Sequence, residues 1–250
     1  MAALAAGQAE QYRLQSAEKE VLKETLTGTV AILIQILSAI QPLAFGRASR
    51  IRQYMCLLRA ELQIADSWEF EAAAMLSQLG AISVDPSVLK KYYDGEDLSE
   101  VDRRHLLSHA SIGRRLLQEV PRLQAVSQMI ERQYQDWRNS SERDPESRLI
   151  AVGSQMLSAI LEFDRLVGSG RSSADALAAM RREESEFHPD VLAALDRLQD
   201  TLAQQAILSS TPRPPLDTDQ LIFRPLADQV LRSLRSQGSD SKAPHVTYDR

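Results

Sequence analysis

Apolar residues recur at intervals of three and four along most of this 250-residue chain. Leu123, Val126, Met129 and Ile130 are one such set, and a helix would place them on a single face. Glycine and proline number only 10 each, whereas Ala, Leu, Gln, Arg and Glu, which favour helices, dominate the composition. The periodicity therefore predicts an all-α protein, folded as a bundle of helices.

Breaks in this periodicity divide the chain into three parts. Residues 1–27 are charged and helix-prone, which predicts either an N-terminal helical stalk or a solvated helix leading into the domain. Residues 28–207 carry the amphipathic segments of one main helical domain. Residues 208–250 contain the proline-rich stretch 211–215, which predicts a stiff linker to a largely disordered tail.

Helix boundaries are expected where capping residues and prolines occur. Residues 30–40 form the most apolar run, which predicts a buried helix that ends before Pro42. A helix that starts near Trp68 is expected to stop at Gly80, as a C-terminal cap. Ser99 is the expected N-cap of a later helix, and Pro121 is expected to open the next one.

The composition argues against several classes of function. The net charge of −5 comes from interspersed acids and bases, so we expect neither nucleic acid nor a membrane as a partner. Cys56 is the single cysteine, which excludes an intrachain disulfide and fits a cytoplasmic protein. The chain start does not resemble a secretory signal, and the longest apolar run is too short to cross a bilayer.

Three segments carry a likeness to a known family. Residues 75–82, Met-Leu-Ser-Gln-Leu-Gly-Ala-Ile, are similar to a Leu-Leu-His-Asp-Ile-Gly-Lys-Ile signature. His109-Ala-Ser-Ile-Gly is similar to His-Pro-x-x-Gly, and residues 148–154 are similar to Arg-Ile-Leu-x-Val-Ala-Asp. In order and spacing, these landmarks resemble the HD-GYP branch of the HD superfamily, metal-dependent phosphohydrolases that hydrolyse cyclic di-GMP in bacterial signalling.

The resemblance implies where the metal ligands and their supporting residues would lie. Those positions hold Arg47, Ser77, Gln78, His109, Gln133, Tyr134 and Ser154. Of these, only His109 keeps the family residue, and no Asp-Gly-x-Gly-Tyr-Pro stretch follows Tyr134. Phosphodiester hydrolysis in such a site needs a divalent metal held by several imidazole or carboxylate groups. The sequence therefore predicts a degenerate domain without catalytic residues, bound metal or cofactor.

Three hypotheses for function follow. The first is a protein-interaction module that binds a protein partner of a signalling pathway, with a homodimer through the N-terminal helices, residues 8–40. Since the receiver domain of many relatives is not found in this sequence, we expect regulation through a separate partner or self-association.

The second hypothesis is a metal-free sensor that binds a cyclic dinucleotide in the vacated pocket, with Arg47, Gln78, Gln133 and Tyr134 as polar contacts. The third is residual hydrolase activity. His105 and His109 lie four residues apart on one predicted helix, a spacing found in many zinc sites. The alternative for these two histidines is a surface side chain at His105 and a buried or half-buried one at His109.

Overall fold

The computed structural model describes residues 25–26, 28–65, 67–139, 144–182 and 187–210, with side chains as far as residue 202. The chain divides into two compact units, Met1–Thr29 with Asp217–Arg250, and Val30–Leu216. Of the smaller unit, only residues 25, 26, 28 and 29 are described, and they are helical. The predicted stalk, residues 1–27, and the predicted tail, residues 208–250, therefore fall almost entirely outside the described residues.

The larger unit is built from helices. They are α1 over residues 30–40, α2 Pro42–Glu61, α3 Trp68–Leu76, α4 Pro86–Tyr93, α5 Glu100–Leu117, α6 Gln124–Glu131, α7 Pro145–Gly168, α8 Ser173–Arg182 and α9 Pro189–Ser210. Short 3₁₀ helices cover Leu79–Ser83 and Trp137–Asn139. No β-strand occurs among the described residues, and the predicted all-α fold is confirmed.

Helix α7 forms the centre of the bundle. It packs against α2, α3, α4, α6, α8 and α9, and buries side chains along most of its length. Phe163 lies on the buried face of α7 and packs edge to face against Tyr54 of α2, with 6.1 Å between the ring centroids. Because α7 packs against both α2 and α6, and α5 packs on α6, polar side chains on these four helices can approach one another.

The corner between α1 and α2 lies at Gln41. Pro42 follows as the first residue of α2, a position where the missing N–H costs no helical hydrogen bond. The Gln41 side chain donates to the Val84 carbonyl oxygen at 3.1 Å, which fixes the corner against the segment before α4. Helix α1, for which the sequence predicts a buried helix, buries one face and exposes the isoleucines on its other face.

Aspartate and serine side chains cap several of the helices. Ser99 Oγ accepts a hydrogen bond from the Asp102 backbone N–H at 3.1 Å, so the predicted N-cap of α5 is confirmed. Asp85 and Asp144 cap α4 and α7 in the same way, and each is followed by proline as the first helical residue. These Asp-Pro pairs fix where both helices begin.

Two predicted boundaries are wrong. Helix α3 ends at Leu76, three residues earlier than predicted, and Gly80 lies inside the following 3₁₀ helix instead of capping α3. Helix α6 begins at Gln124 and not at Pro121, because Arg122 adopts a left-handed conformation with φ of 67° that a helix cannot include.

Within the described ranges, every helix is too short or too polar to span a bilayer.

Candidate functional site

The sequence-predicted positions come from five places in the bundle. Arg47 lies on α2, Ser77 and Gln78 in the turn after α3, His109 on α5, Gln133 and Tyr134 in the turn after α6, and Ser154 on α7. All except the half-buried Tyr134 are buried. A set of polar side chains thus lies in the interior, where each one needs a partner to offset its lost hydration.

The Arg47 guanidinium places a positive charge in this interior, since its side chain is only 2% exposed. Its Nε donates to Oδ2 of Asp164 at 2.9 Å, and a terminal nitrogen donates to the Leu161 carbonyl oxygen at 2.6 Å. Burial, the largest cause, opposes the charge on Arg47, but Asp164 and the nearby tyrosines together outweigh it, so the pKa of the guanidinium lies above its usual value. Arg47 therefore remains a cation in the folded protein.

Asp164 on α7 accepts from two arginines of α2. Besides Arg47, Arg50 donates from Nε to Oδ1 at 2.9 Å, and its side chain is partly exposed. The carboxylate itself is 4% exposed. Two cations on one face of α2 thus share one buried anion, which ties α2 to the middle of the bundle.

Two tyrosine rings of α4 cover the Arg47 guanidinium. Its central carbon lies 4.8 Å from the Tyr93 ring centroid and 5.6 Å from that of Tyr92. Cations over aromatic faces gain electrostatic stabilisation in addition to their hydrogen bonds. Burial, the first cause, raises the pKa of Tyr93 despite the nearby cation, so its hydroxyl stays protonated.

The Tyr93 hydroxyl links Arg47 to the turn after α3. It donates to the Gln78 side-chain oxygen at 3.2 Å, and the Gln78 amide nitrogen in turn donates to the Ser77 hydroxyl at 3.2 Å. The Ser77 hydroxyl donates a hydrogen bond to the Ala74 carbonyl oxygen at 2.8 Å. Gln78 and Ser77, which occupy the His-Asp positions of the resembling signature, are thus linked in a chain of neutral hydrogen bonds.

His109 pairs with Tyr134 next to this chain. Its Nε2 lies 2.8 Å from the Tyr134 hydroxyl, and the tautomer decides which group donates. Burial, together with the nearby Arg47 cation, lowers the pKa of His109 to about 4, so the imidazole is neutral at pH 7. Burial likewise raises the pKa of Tyr134 well above its usual value, which keeps its hydroxyl protonated.

Gln133 and Ser154 stand apart from the connected residues. Both polar atoms of the Gln133 side chain are buried without a hydrogen-bond partner, as is Nδ1 of His109. Ser154 donates to the carbonyl oxygens of Ile150 and Ala151 within its own helix. The fold thus gathers Arg47, Ser77, Gln78, His109 and Tyr134 around one centre, while Ser154 serves its helix.

His105 does not face this centre. It is exposed on α5, whereas His109, one turn later, is buried. The described residues contain no group of three or more His, Cys, Asp or Glu side chains able to hold a metal ion.

The gathered residues do not fit a divalent metal ion. Ser77 and Gln78 carry no charge and are weak metal ligands. The Tyr134 hydroxyl is protonated, and Nε2 of His109 is hydrogen-bonded to it. Arg47 adds a positive charge at the centre, which repels a cation. The carboxylate of Asp164, which approaches the centre, is already bonded to two guanidinium groups.

An open cavity of about 700 Å³ lies beside this centre. It is bordered by Tyr92 and Tyr134, by Arg103 and Arg165, and by the acidic residues Glu96, Asp97, Asp136 and Glu162. Arg165 lies over the outer part of Tyr92, 5.7 Å from the ring centroid, and its Nε donates to Glu162 at 2.7 Å. Arg47 does not line the cavity, so the predicted phosphate contact is directed into the protein.

Sequence reasoning missed the residues that hold Arg47. Asp164 falls on the same helical face as Leu157 and Ile160, and a carboxylate on a buried helical face requires a cationic partner. That signal indicates that Asp164 is paired, but it does not identify Arg47 as the partner. Tyr92 and Tyr93 carried no distinguishing pattern.

Comparison with known proteins places this bundle in a family. A family model described as an HD domain matches residues 31–191. A search of the curated proteins found no match. The resemblance read from the sequence is confirmed at the level of the HD domain, whose match spans residues on α1 to α9. Because the match covers well over half of the chain, the protein belongs to the HD domain family.

Proposed function

We propose that this protein is a non-catalytic HD domain of the HD-GYP branch, which acts through protein–protein interaction in bacterial signalling in the cytoplasm. The observation that carries the proposal is the buried Arg47, a cation held by Asp164 at the centre of the ligand positions. A site that activates water through a divalent metal needs anionic and imidazole donors there. A guanidinium fixed at this position repels a divalent metal ion and donates no electron pair to it.

The retained packing supports the same proposal. Leu76 and Leu79 beside the altered positions are fully or almost fully buried, and Gly80 touches the backbone of α5. A domain that keeps its core around a chemically altered centre retains a rigid surface, which is what a binding partner recognises.

A hydrolysis assay tests this proposal. The purified protein is incubated with cyclic di-GMP and Mn²⁺, Fe²⁺ or Mg²⁺, and products are separated by chromatography. We expect no linear dinucleotide or mononucleotide above the protein-free rate. An active cyclic di-GMP phosphodiesterase serves as the positive control. Turnover that disappears on chelation would overturn the proposal and favour residual hydrolase activity, with His105 and His109 as first candidates.

The cavity beside Tyr134 favours a second candidate function, metal-free sensing of a cyclic dinucleotide. Its two arginines, Arg103 and Arg165, are cations that phosphate groups bind, and Tyr92 and Tyr134 offer aromatic surface. In this version Arg47 supports the cavity wall from inside and makes no contact with the ligand.

Calorimetric titration with cyclic di-GMP, without metal, separates sensing from pure protein interaction. Sensing requires saturable heat that weakens at least about tenfold in Arg103→Ala, the loss of one charge-assisted contact. Arg104→Ala is the matched control, because Arg104 is exposed on the same helix and does not line the cavity. Absence of heat and of thermal stabilisation rejects the sensor.

A further inference from the structure

Helix α1 exposes a row of isoleucines. Ile32, Ile36 and Ile40 follow one another at four-residue intervals and are 57%, 40% and 54% exposed. Leu43, in the first turn of α2, extends the row and is 54% exposed. Residues four apart lie on one face of a helix, so the side chains form a continuous apolar stripe about 12 Å long on α1.

The opposite face of α1 anchors the stripe to the domain. Val30, Ile34 and Leu37 are 2%, 0% and 0% exposed. Leu37 packs in a cluster with Ala44, Ala81 and Leu89, so the helix cannot rotate its isoleucines inward without exposing these residues. Exposed apolar side chains in a row, unlike single ones scattered over a surface, mark an interaction site.

The charge pattern selects the partner. No Asp, Glu, Lys, Arg or His occurs between Glu24 and Arg47. A charged partner would therefore find no countercharge along the stripe, whereas a second copy would meet no like charge. Homodimers place the same patch of both subunits across a two-fold axis, so a patch must be compatible with itself. An uncharged row of isoleucines meets that condition.

We propose that the stripe formed by Ile32, Ile36, Ile40 and Leu43 is the contact between two copies of this chain. This inference rests on the proposed role as an interaction module and names its first partner. The two α1 helices pack side by side, and each isoleucine enters the space between side chains of the facing helix.

Measurement of mass in solution is the first test. The full-length protein is expected at twice the 27.9 kDa of one chain in sedimentation equilibrium. Ile36→Glu brings two carboxylates together across the axis, and we expect it to weaken the dimer by at least about a hundredfold. Val101→Glu is the matched control, because Val101 is 64% exposed on α5 and outside the stripe. That variant should remain a dimer.

Cross-linking locates the contact. Single cysteines are placed at Ile32, Ile36 and Ile40 in turn, and oxidation is followed on non-reducing gels. A disulfide forms only where the two Cα atoms come within about 7 Å. Parallel helices should cross-link at all three positions, and antiparallel helices at the one nearest the axis. Cys56 is retained, since the unmodified chain serves as its control.

Each outcome decides the proposal. A monomeric wild type overturns it, and so does a dimer that survives Ile36→Glu and forms no cross-link, because its contact lies elsewhere. Circular dichroism of each variant shows whether the helices are retained, and cross-linking does not depend on the glutamate variant folding. Failure of the non-catalytic role appears instead as cyclic di-GMP hydrolysis, which is measured separately and leaves the mass unaffected.

Discussion

At the scale of single residues, the main feature is the Arg47 cation, which is buried away from water. Arg47 donates to Asp164 and to the Leu161 carbonyl oxygen, and both charged side chains are almost completely buried. A buried pair of this kind adds little stability compared with apolar residues of similar volume. The removal of one partner is costly, however, because the other charge is then buried without compensation.

The variant Asp164→Asn should therefore destabilise the protein strongly. We expect a loss of about 3–5 kcal/mol in the free energy of unfolding, measured by denaturant titration. The double variant Arg47→Met, Asp164→Leu should lose less, since no unpaired charge remains at Arg47. A double variant as unstable as the sum of the single variants would contradict this account.

Glu162→Gln is the matched control for that experiment. Glu162 lies on the same helix as Asp164, and the side chains of Glu162 and its partner Arg165 are both partly exposed. Exposed and half-exposed pairs contribute about 1 kcal/mol or less. A similar loss in both variants would mean that the effect comes from α7 in general.

His109 should make stability depend on pH. The pKa of its imidazole is lowered by burial and by Arg47 to about 4, from 6.5 in the unfolded chain. As pH falls from 6.5 to 4, the unfolded chain takes up a proton that the folded protein refuses, so stability decreases by about 3 kcal/mol. Below pH 4 both states are protonated and this contribution is constant.

His109→Gln should remove that part of the pH dependence, as seen in unfolding free energies from pH 7 to 4. His105→Gln replaces an exposed histidine on the same helix and is the control. If the two variants follow identical profiles, burial of His109 is not the source of the slope.

At the scale of elements, the 3₁₀ helix Leu79–Ser83 lies directly against the backbone of α5. A Cβ atom at Gly80 would collide with the His109 carbonyl oxygen and lie 2.8 Å from the Gly113 nitrogen. Both are backbone atoms and cannot move aside without displacing a helix. Gly80 is therefore needed for contact between elements, whereas the sequence suggested a helix cap.

Gly80→Ala should consequently lower stability by about 3 kcal/mol or more, by the mechanism of overpacking. Gly46→Ala provides the comparison, since nothing lies within 4 Å of a Cβ added there, inside helix α2. That variant should gain about 0.5–1 kcal/mol. Thermal unfolding of both proteins distinguishes the two effects, and equal melting temperatures would refute the assigned role of Gly80.

The elements also show what local sequence can reveal. Ser99 was identified as an N-cap because a cap depends on residues three positions apart. Pro121 was misread because proline fits the first turn of a helix and an ordinary turn equally well. The left-handed conformation of Arg122, the next residue, makes this segment a turn, and the residue type does not predict that conformation.

At the scale of the whole molecule, the polar centre around Arg47 should make the stability of the fold independent of metal ions. Binding to the folded state alone raises the melting temperature with ligand concentration. Since the donor set does not fit a divalent ion, neither Mn²⁺ nor chelator should shift the melting temperature. Elemental analysis of protein purified without chelators should find less than one metal per chain. A saturable upward shift with Mn²⁺ would contradict this.

The helical class and the gathering of distant positions could be anticipated from the sequence. Helical periodicity predicts the all-α class, and the resemblance of the ordered landmarks to a known family implies that Arg47, Gln78 and His109 lie close together. The partners could not be anticipated in the same way. Asp164 and Tyr93 reach Arg47 only through the packing of α2, α4 and α7, which depends on many weak contacts at once.

The ion pair between Arg47 and Asp164 also restricts how this sequence can change over generations. Replacement of Arg47 by histidine would remove a cation from the buried carboxylate, leaving it to the partly exposed Arg50. Replacement of Asp164 first would leave Arg47 buried without its anionic partner. Either single substitution lowers stability, so selection for a stable fold keeps both charged residues or changes them together.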